Sequence, residues 1–209
     1  MGANSLIHVY LIRHGITKYN LDRRYLGHTD EPLLYNNQHQ FSDISQQLAD
    51  TTFDYCFTSD LKRCTQTSRL LLNDHMFCED KRLRELHFGD WEGATYQMLK
   101  HLPAYQAWLH DMVNIAPPNG ESFVRLRARV NEFFQEFFSV ENKKEKNVLL
   151  VTHGGVIRAC LIMFKIAKNL WDYPIEHGKG FKLSFQFDQH KEEWICNSWS
   201  EVPTLEKGL

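Results

Sequence analysis

Two short runs, Val9-Tyr10-Leu11-Ile12 and Val148-Leu149-Leu150-Val151, constrain what this chain can fold into more than any other feature. Each is continuous and apolar, and each runs directly into a polar turn, Arg13-His14-Gly15 in one case and Thr152-His153-Gly154-Gly155 in the other. A strand with one wet face alternates apolar and polar residues. A run without that alternation needs both faces covered, as in a parallel sheet between two layers of helices. Tyr55-Cys56-Phe57-Thr58 is a shorter run of the same kind.

Helical periodicity follows these runs. Leu61 to Leu72 is periodic, with Ser59 or Asp60 available as N-cap, and Val156 to Ile166 follows the second His-Gly. Between them, Phe123, Leu126, Val130, Phe133, Phe134 and Phe137 share one helical face, Ser122 can cap its start, and Pro117-Pro118-Asn119-Gly120 forms the loop before it. Lys143 to Lys146 reads as a solvated turn. Lys182 to Asp188 alternates and is placed to pair with Glu193 to Asn197 as an edge hairpin. Strands alternating with helices predict a three-layer α/β/α sandwich on a mainly parallel sheet. Ligands of such sheets sit beyond the carboxyl ends of the strands, where both His-Gly turns and the Ser59 loop fall.

Composition narrows the function. The chain has 209 residues, room for one domain, and 43% are hydrophobic, enough for a sizeable core. A net charge of -2 and the lack of a basic stripe argue against a nucleic-acid surface, so an anionic substrate has to meet a local cluster of cations. Five scattered cysteines, odd in number and without a CxxC, read as reduced thiols in a cytoplasmic protein. No apolar run approaches the length of a membrane span, and Met1 to Ser5 is set aside as a start or tag remnant.

The polar turns carry the chemistry. A neutral histidine at a strand end can attack phosphorus if one ring nitrogen is held by a hydrogen bond, which makes His14 a candidate nucleophile; an ordinary polar turn is the bland reading of the tripeptide alone. Gly15 lets the backbone approach a ligand closely. Arg13 can clamp a phosphate oxygen in a planar fork. His153 opens a helix, where it can donate to phosphoryl oxygens beside the helix N-terminus. Arg63, in the first turn of its helix, works against the helix dipole unless an anion sits there; a salt bridge to Asp60 is the competing account. A departing alkoxide needs a proton, and Glu85, Asp90 and Glu92 are the carboxyl groups at hand, with spacing alone unable to choose among them. Such a set of two imidazoles, two guanidinium groups and one carboxylic acid suffices for phosphoryl transfer without a metal or cofactor, since that reaction depends mainly on positioning and charge stabilisation.

The chain resembles the histidine phosphatase superfamily, the group that includes phosphoglycerate mutases. The resemblance runs through Leu11 to Gly15, Thr17 and Asn20, Tyr25-Leu26-Gly27, Ser59 to Arg63, Leu83 to Gly93, Asn119 to Ser122 and Val151 to Gly155, in the family's order. It implies a phosphoglycerate mutase-like fold over residues 6–200, with a helical substrate-cap insertion near 92–120, and a metal-independent phosphomonoesterase. It further implies His14 as the phosphorylated residue, Glu85 as the acid, and Arg13, Arg63 and His153 as the phosphate pocket. Asn20, Thr17 and Gly154 fall among its substrate-binding positions. Ile16 departs from the glutamate that many members carry directly after the His-Gly. Within the superfamily, Asn20 to His28, Phe88 to Glu92 and Ala107-Trp108 ahead of Pro118 to Glu121 are most similar to alpha-ribazole phosphatases, which act late in cobalamin nucleotide-loop assembly.

That resemblance implies a small phosphorylated metabolite as the partner, with no nucleic acid or membrane, and leaves a homodimer open. Broad-specificity phosphatase and phosphoglycerate mutase are the enzymatic alternatives, the short chain favouring hydrolysis over mutase action. A phosphate-sensing or protein-binding relative on the same fold is the non-enzymatic one. A zinc enzyme is disfavoured despite 11 histidines, because no HExxH or CxxC occurs, and a dinucleotide-binding domain because no GxGxxG follows Ile12. Tyr96, Tyr105 and Trp108 could stack on a flat substrate, but Leu102, Tyr105, Leu109 and Met112 fall at helical spacing and are expected in the core.

Overall fold

The computed structural model describes residues 6–34, 40–72, 76–140 and 145–204. Met1 to Ser5, and the Lys143-Lys144 half of the expected turn, lie outside the described residues. In chain order the elements are β1 (Leu6–Arg13), α1 (Lys18–Leu21), α2 (Ser42–Leu48), β2 (Tyr55–Thr58), α3 (Lys62–Leu72), β3 (Cys78–Glu79), α4 (Tyr96–Leu99), α5 (Pro103–His110), α6 (Phe123–Val140), β4 (Lys146–Thr152), α7 (Gly154–Met163), β5 (Gly180–Asp188) and β6 (Glu193–Val202). The sheet has the order β3-β2-β4-β1-β5-β6. The pairs β3–β2, β2–β4 and β4–β1 are parallel, while β5 and β6 complete the sheet antiparallel.

The apolar runs behave as their composition requires. Alternate residues of β1 and β4 point to opposite faces. Val9, Leu11, Val148 and Leu150 join one core with α6 and α7, whereas Tyr10, Ile12, Leu149 and Val151 join a second core with α2 and α3. Both faces are therefore covered, and the architecture is the expected three-layer sandwich. All six expected residues of α6, from Phe123 to Phe137, are buried against the sheet. Ser122 accepts from the Arg125 amide at 3.4 Å, in the manner of a cap. The expected hairpin is β5–β6, with β6 running on to Val202 and a register shift at Ser184/Phe185.

Two expectations need correction. α7 stops at Met163 rather than Ile166, because Lys165 takes a left-handed conformation (φ 60°) and the amides of Ile166 and Ala167 fold back onto the Leu161 carbonyl. The buried face of α5 is Tyr105 and Trp108, while Leu102 and Leu109 are exposed. The aromatic partners decide this. Tyr105 and Trp108 stack with each other and meet Trp91 and Tyr25 edge to face, closing both side chains to any substrate; Tyr96 is half exposed.

The register positions the site. Arg13 lies opposite Thr152, and Thr58 opposite Val151, so the carboxyl ends of β1, β2 and β4 are level. The residues that follow them, His14, Ser59 and His153, leave the sheet side by side. The ladder continues into this rim, with His14 N–H donating to Thr152 O at 2.9 Å and Ser59 N–H to Val151 O at 3.1 Å.

Phe133 sits at the centre of this packing, 3% exposed, with its ring edge on to Phe57 (5.2 Å between centroids) and Phe134 (5.3 Å). Phe133→Ala is expected to cost about 3–5 kcal/mol of unfolding free energy, read from urea denaturation midpoints.

Candidate active site

His14 is buried, and its ring lies between two other imidazoles, with centroids 5.0 Å from His153 and 5.2 Å from His177. Its Nδ1 is 2.6 Å from the carbonyl oxygen of Gly15. A carbonyl only accepts, so Nδ1 carries the proton and Nε2 keeps its lone pair. Burial, followed by the charges of Arg63, Arg13 and His177, holds the His14 pKa well below its ordinary value despite the Gly15 bond, so the ring is neutral at pH 7.

Arg63 is completely buried. Its Nη2 donates to Gly27 O at 2.6 Å, its Nη1 to Thr29 O at 2.9 Å and its Nε to His153 Nδ1 at 3.3 Å. The competing account, a salt bridge to Asp60, does not hold: Asp60 is taken in a bidentate pair by Arg84, at 2.5 and 2.7 Å. Because a guanidinium only donates, His153 Nδ1 is an acceptor and Nε2 bears the proton. That Nε2 lies 2.9 Å from Ser59 Oγ and 3.3 Å from Cys64 Sγ. Both nitrogens of His153 thus have protein partners, and donation to a ligand requires Nε2–H to turn from Ser59. Burial and neighbouring Arg63 keep this ring neutral too.

Arg13 donates from Nη1 to Ile175 O at 2.6 Å, while its buried Nε has no partner. Burial lowers its pKa to about 10, so it stays charged near pH 7. A buried guanidinium N–H without an acceptor is costly unless something anionic completes it. Gly154 packs against this group, 3.5 Å from Arg13 Nε to the point where a Cβ would stand.

Glu85 is set at the N-terminus of α7. Its carboxylate accepts from the Gly155 amide at 3.1 Å to each oxygen, and from the Leu86 amide at 2.8 Å. A Cβ on Gly155 would stand 2.1 Å from Glu85 Oε1, so only glycine leaves room for this arrangement. The backbone of the Glu85 segment is held by Arg129, which donates to the carbonyls of Arg82, Arg84 and Glu85 at 2.7–2.9 Å. The three carboxyl groups that spacing could not separate now differ. Asp90 is exposed and accepts from the Asn119 side chain, Glu92 is saturated by backbone amides, and Glu85 is the one of the three whose charge acts on both Arg13 and Arg63.

Thr17 is buried. Its hydroxyl donates to Asn20 Oδ1 at 2.9 Å and accepts from the Asn20 amide at 3.3 Å, while its own amide donates to the same Oδ1 at 3.1 Å. This capping box at the start of α1 spends the polar groups of Thr17 on holding Asn20. Gly15 is demanded by packing as well as by any ligand, since a Cβ there would stand 2.5 Å from the Phe41 ring.

His177 was not reached by sequence reasoning. Its Nδ1 donates to His14 O at 3.1 Å, and its pKa is lowered to about 4 by burial and then by Arg13. The available signal was a third His-Gly dipeptide, His177-Gly178, just ahead of β5. Gly178 has φ 71°, and its amide donates to Arg13 O, which locks this turn to the end of β1.

Comparison with known proteins finds related chains over most of the length. The family described as "Histidine phosphatase superfamily (branch 1)" matches residues 9–200. An adenosylcobalamin/alpha-ribazole phosphatase of Escherichia coli is 31% identical over 176 residues, 81% of this chain and 86% of the relative. A 2,3-bisphosphoglycerate-dependent phosphoglycerate mutase of Cytophaga hutchinsonii is 31% identical over 159 residues, 73% of this chain and 74% of the relative. Among solved structures, the alpha-ribazole phosphatase of Shigella flexneri superposes with a TM-score of 0.76 at 28% identity, covering 91% of this chain and 96% of that one.

The depressed histidines make a thermodynamic prediction. In the unfolded chain His14, His153 and His177 titrate near about 6.5, while in the native state they resist protonation. Their contribution is present above that value and is lost as pH falls, for His177 down through about 4. Urea midpoints should therefore fall between about pH 7.5 and pH 5, above the range where carboxylates titrate. The fall should be shallower in His177→Gln. Equal slopes in the two proteins would contradict the reading.

Proposed function

The chain belongs to the histidine phosphatase superfamily, and on that premise we propose that it removes phosphate from alpha-ribazole 5'-phosphate through a phosphohistidine formed on His14. The observation that carries this reading is the neutral His14 ring, with Nδ1 fixed on Gly15 O and Nε2 left as the nucleophile, next to two buried guanidinium groups of which one keeps an unpartnered N–H. Two relatives at about 30% identity bear the substrate in their names.

In the first step His14 Nε2 bonds to phosphorus as the ester P–O bond breaks. Arg13, Arg63 and His153 carry the charge on the equatorial oxygens, His153 by turning its Nε2–H from Ser59 to an oxygen. Glu85 gives its proton to the departing oxygen. In the second step water attacks the same phosphorus, its proton passes to the ionised Glu85, the P–N bond breaks and inorganic phosphate leaves. No step requires a metal. Asn20, steadied by Thr17, and Gly154, packed on Arg13, complete the wall of the phosphate pocket. The five cysteines are all free thiols, which suits a cytoplasmic setting.

A panel of alpha-ribazole 5'-phosphate, 3-phosphoglycerate and a generic aryl phosphate, with chelator present, tests the reading. Expected are hydrolysis that survives chelation and a preference for the first substrate. Isomerisation of 3-phosphoglycerate as the dominant activity would overturn it. His14→Ala should abolish turnover with its far-UV circular dichroism unchanged.

Gly155→Ala should drive the Glu85 carboxylate from its seat while leaving His14 in place. Hydrolysis of alkyl phosphates, which need a proton on the leaving oxygen, should then fall by about 10²–10⁴-fold. Hydrolysis of an aryl phosphate with an acidic leaving group should fall much less. Equal losses on both substrates would argue against Glu85 as the acid.

A further inference from the structure

Glu92 is the carboxylate that the proposed reaction does not use, yet it is the most heavily engaged one at the rim. Its Oε2 accepts from the amides of Gly27 (3.0 Å) and Thr29 (3.1 Å), and its Oε1 from those of His28 (2.8 Å) and Phe88 (3.1 Å). Burial alone would raise its pKa, but the hydrogen bonds from Thr29, His28 and Gly27 outweigh that effect and keep it lowered. A carboxylate held ionised by four backbone donors is a poor source of protons.

The other side of the same loop holds Arg63. The peptide unit joining Gly27 and His28 presents its N–H to Glu92 Oε1 at 2.8 Å and its C=O to Arg63 Nη2 at 2.6 Å. In a trans peptide these two bonds point in opposite directions. One peptide dipole therefore bridges the negative carboxylate to the positive guanidinium, and each charge polarises the unit in the sense that strengthens its bond to the other. Thr29 repeats the connection less directly, with its amide on Glu92 and its carbonyl on Arg63 Nη1. Arg63 needs such support: it is fully buried, it lies in the first turn of α3 where the helix dipole disfavours a cation, and no ion pair reaches it among the described residues. No space is left for a side chain at residue 27, where a Cβ would stand 2.2 Å from Leu86 O and 2.3 Å from Glu92 Oε1.

We infer that Glu92 is a positioning residue for the phosphate-binding guanidinium of Arg63, acting through the Gly27–His28 peptide. The inference rests on the phosphatase reading above. Without Glu92, the loop carbonyls lose their fixed direction, and Arg63 loses both its geometry and the charge that balances it at one remove.

A double-mutant cycle tests this, with a generic aryl phosphate as substrate and inorganic phosphate as competitive inhibitor. Glu92→Gln, whose amide nitrogen cannot accept, should lower kcat/KM by about 10²-fold, the scale of a small misplacement of a binding group, and weaken phosphate inhibition. In an Arg63→Ala background the same substitution should change kcat/KM by less than about two-fold, because its target is gone. The alkaline limb of the kcat–pH profile, which reports the acid, should persist in Glu92→Gln. Losses that multiply in the double variant, or disappearance of the alkaline limb in Glu92→Gln, would overturn the inference. If Glu92→Gln fails to fold, Glu92→Asp keeps the charge and withdraws the carboxylate by one methylene, and its loss must likewise vanish without Arg63. Full activity in Arg63→Ala alone would instead sink the phosphatase reading.

Discussion

The site is organised around two guanidinium groups, Arg63 fully buried and Arg13 partly so, with no carboxylate in direct contact among the described residues. An isolated buried cation is costly, and proteins tolerate it only when hydrogen bonds and neighbouring dipoles replace the lost hydration. Arg63 meets that demand with two loop carbonyls and an imidazole nitrogen, and Arg13 with one carbonyl and the turn that precedes β5. Burial first, and then the same charges, keep His14 and His153 neutral, because a further proton would be placed beside them in a medium that screens poorly. The neutral imidazoles and the cluster of cations are thus one electrostatic arrangement.

Close approach of backbone to side chain is the second constraint, and it explains the glycines better than turn geometry does. Glycine at 15 admits the Phe41 ring, at 27 the Glu92 carboxylate and at 155 the Glu85 carboxylate. In each case a methyl group would collide with an atom already in place. These residues come from loops far apart in the chain, so the pocket is built by tertiary contact, while the sheet beneath supplies a level rim.

Much of this was legible in the residues. The paired apolar runs ending in His-Gly gave the buried parallel strands and the end of the sheet at which His14 and His153 emerge. The phenylalanine spacing of α6 gave its buried face. Reading failed where a choice among similar groups depends on three-dimensional neighbours. Leu102, Tyr105 and Leu109 have the period of a core face, but the aromatic cluster around Trp91 and Tyr25 takes Tyr105 together with Trp108 and leaves Leu102 and Leu109 exposed. Glu85, Asp90 and Glu92 lie within a few positions of one another, and only the amides of Gly155 and of residues 27–29 distinguish them. His177 escaped notice because the strand that brings it beside His14 is antiparallel and distant in sequence.

What the sequence determined by itself is the sandwich and the set of chemical groups at its rim, because apolar periodicity and strand-end placement are local properties of the chain. What only the tertiary structure decided is how the members of that set are held: which carboxylate sits on the amides at the start of α7, which one holds the loop at residues 27–29, and which partner each imidazole nitrogen takes. Those placements depend on single hydrogen bonds between segments tens of residues apart. No local pattern encodes such a bond until the chain has folded.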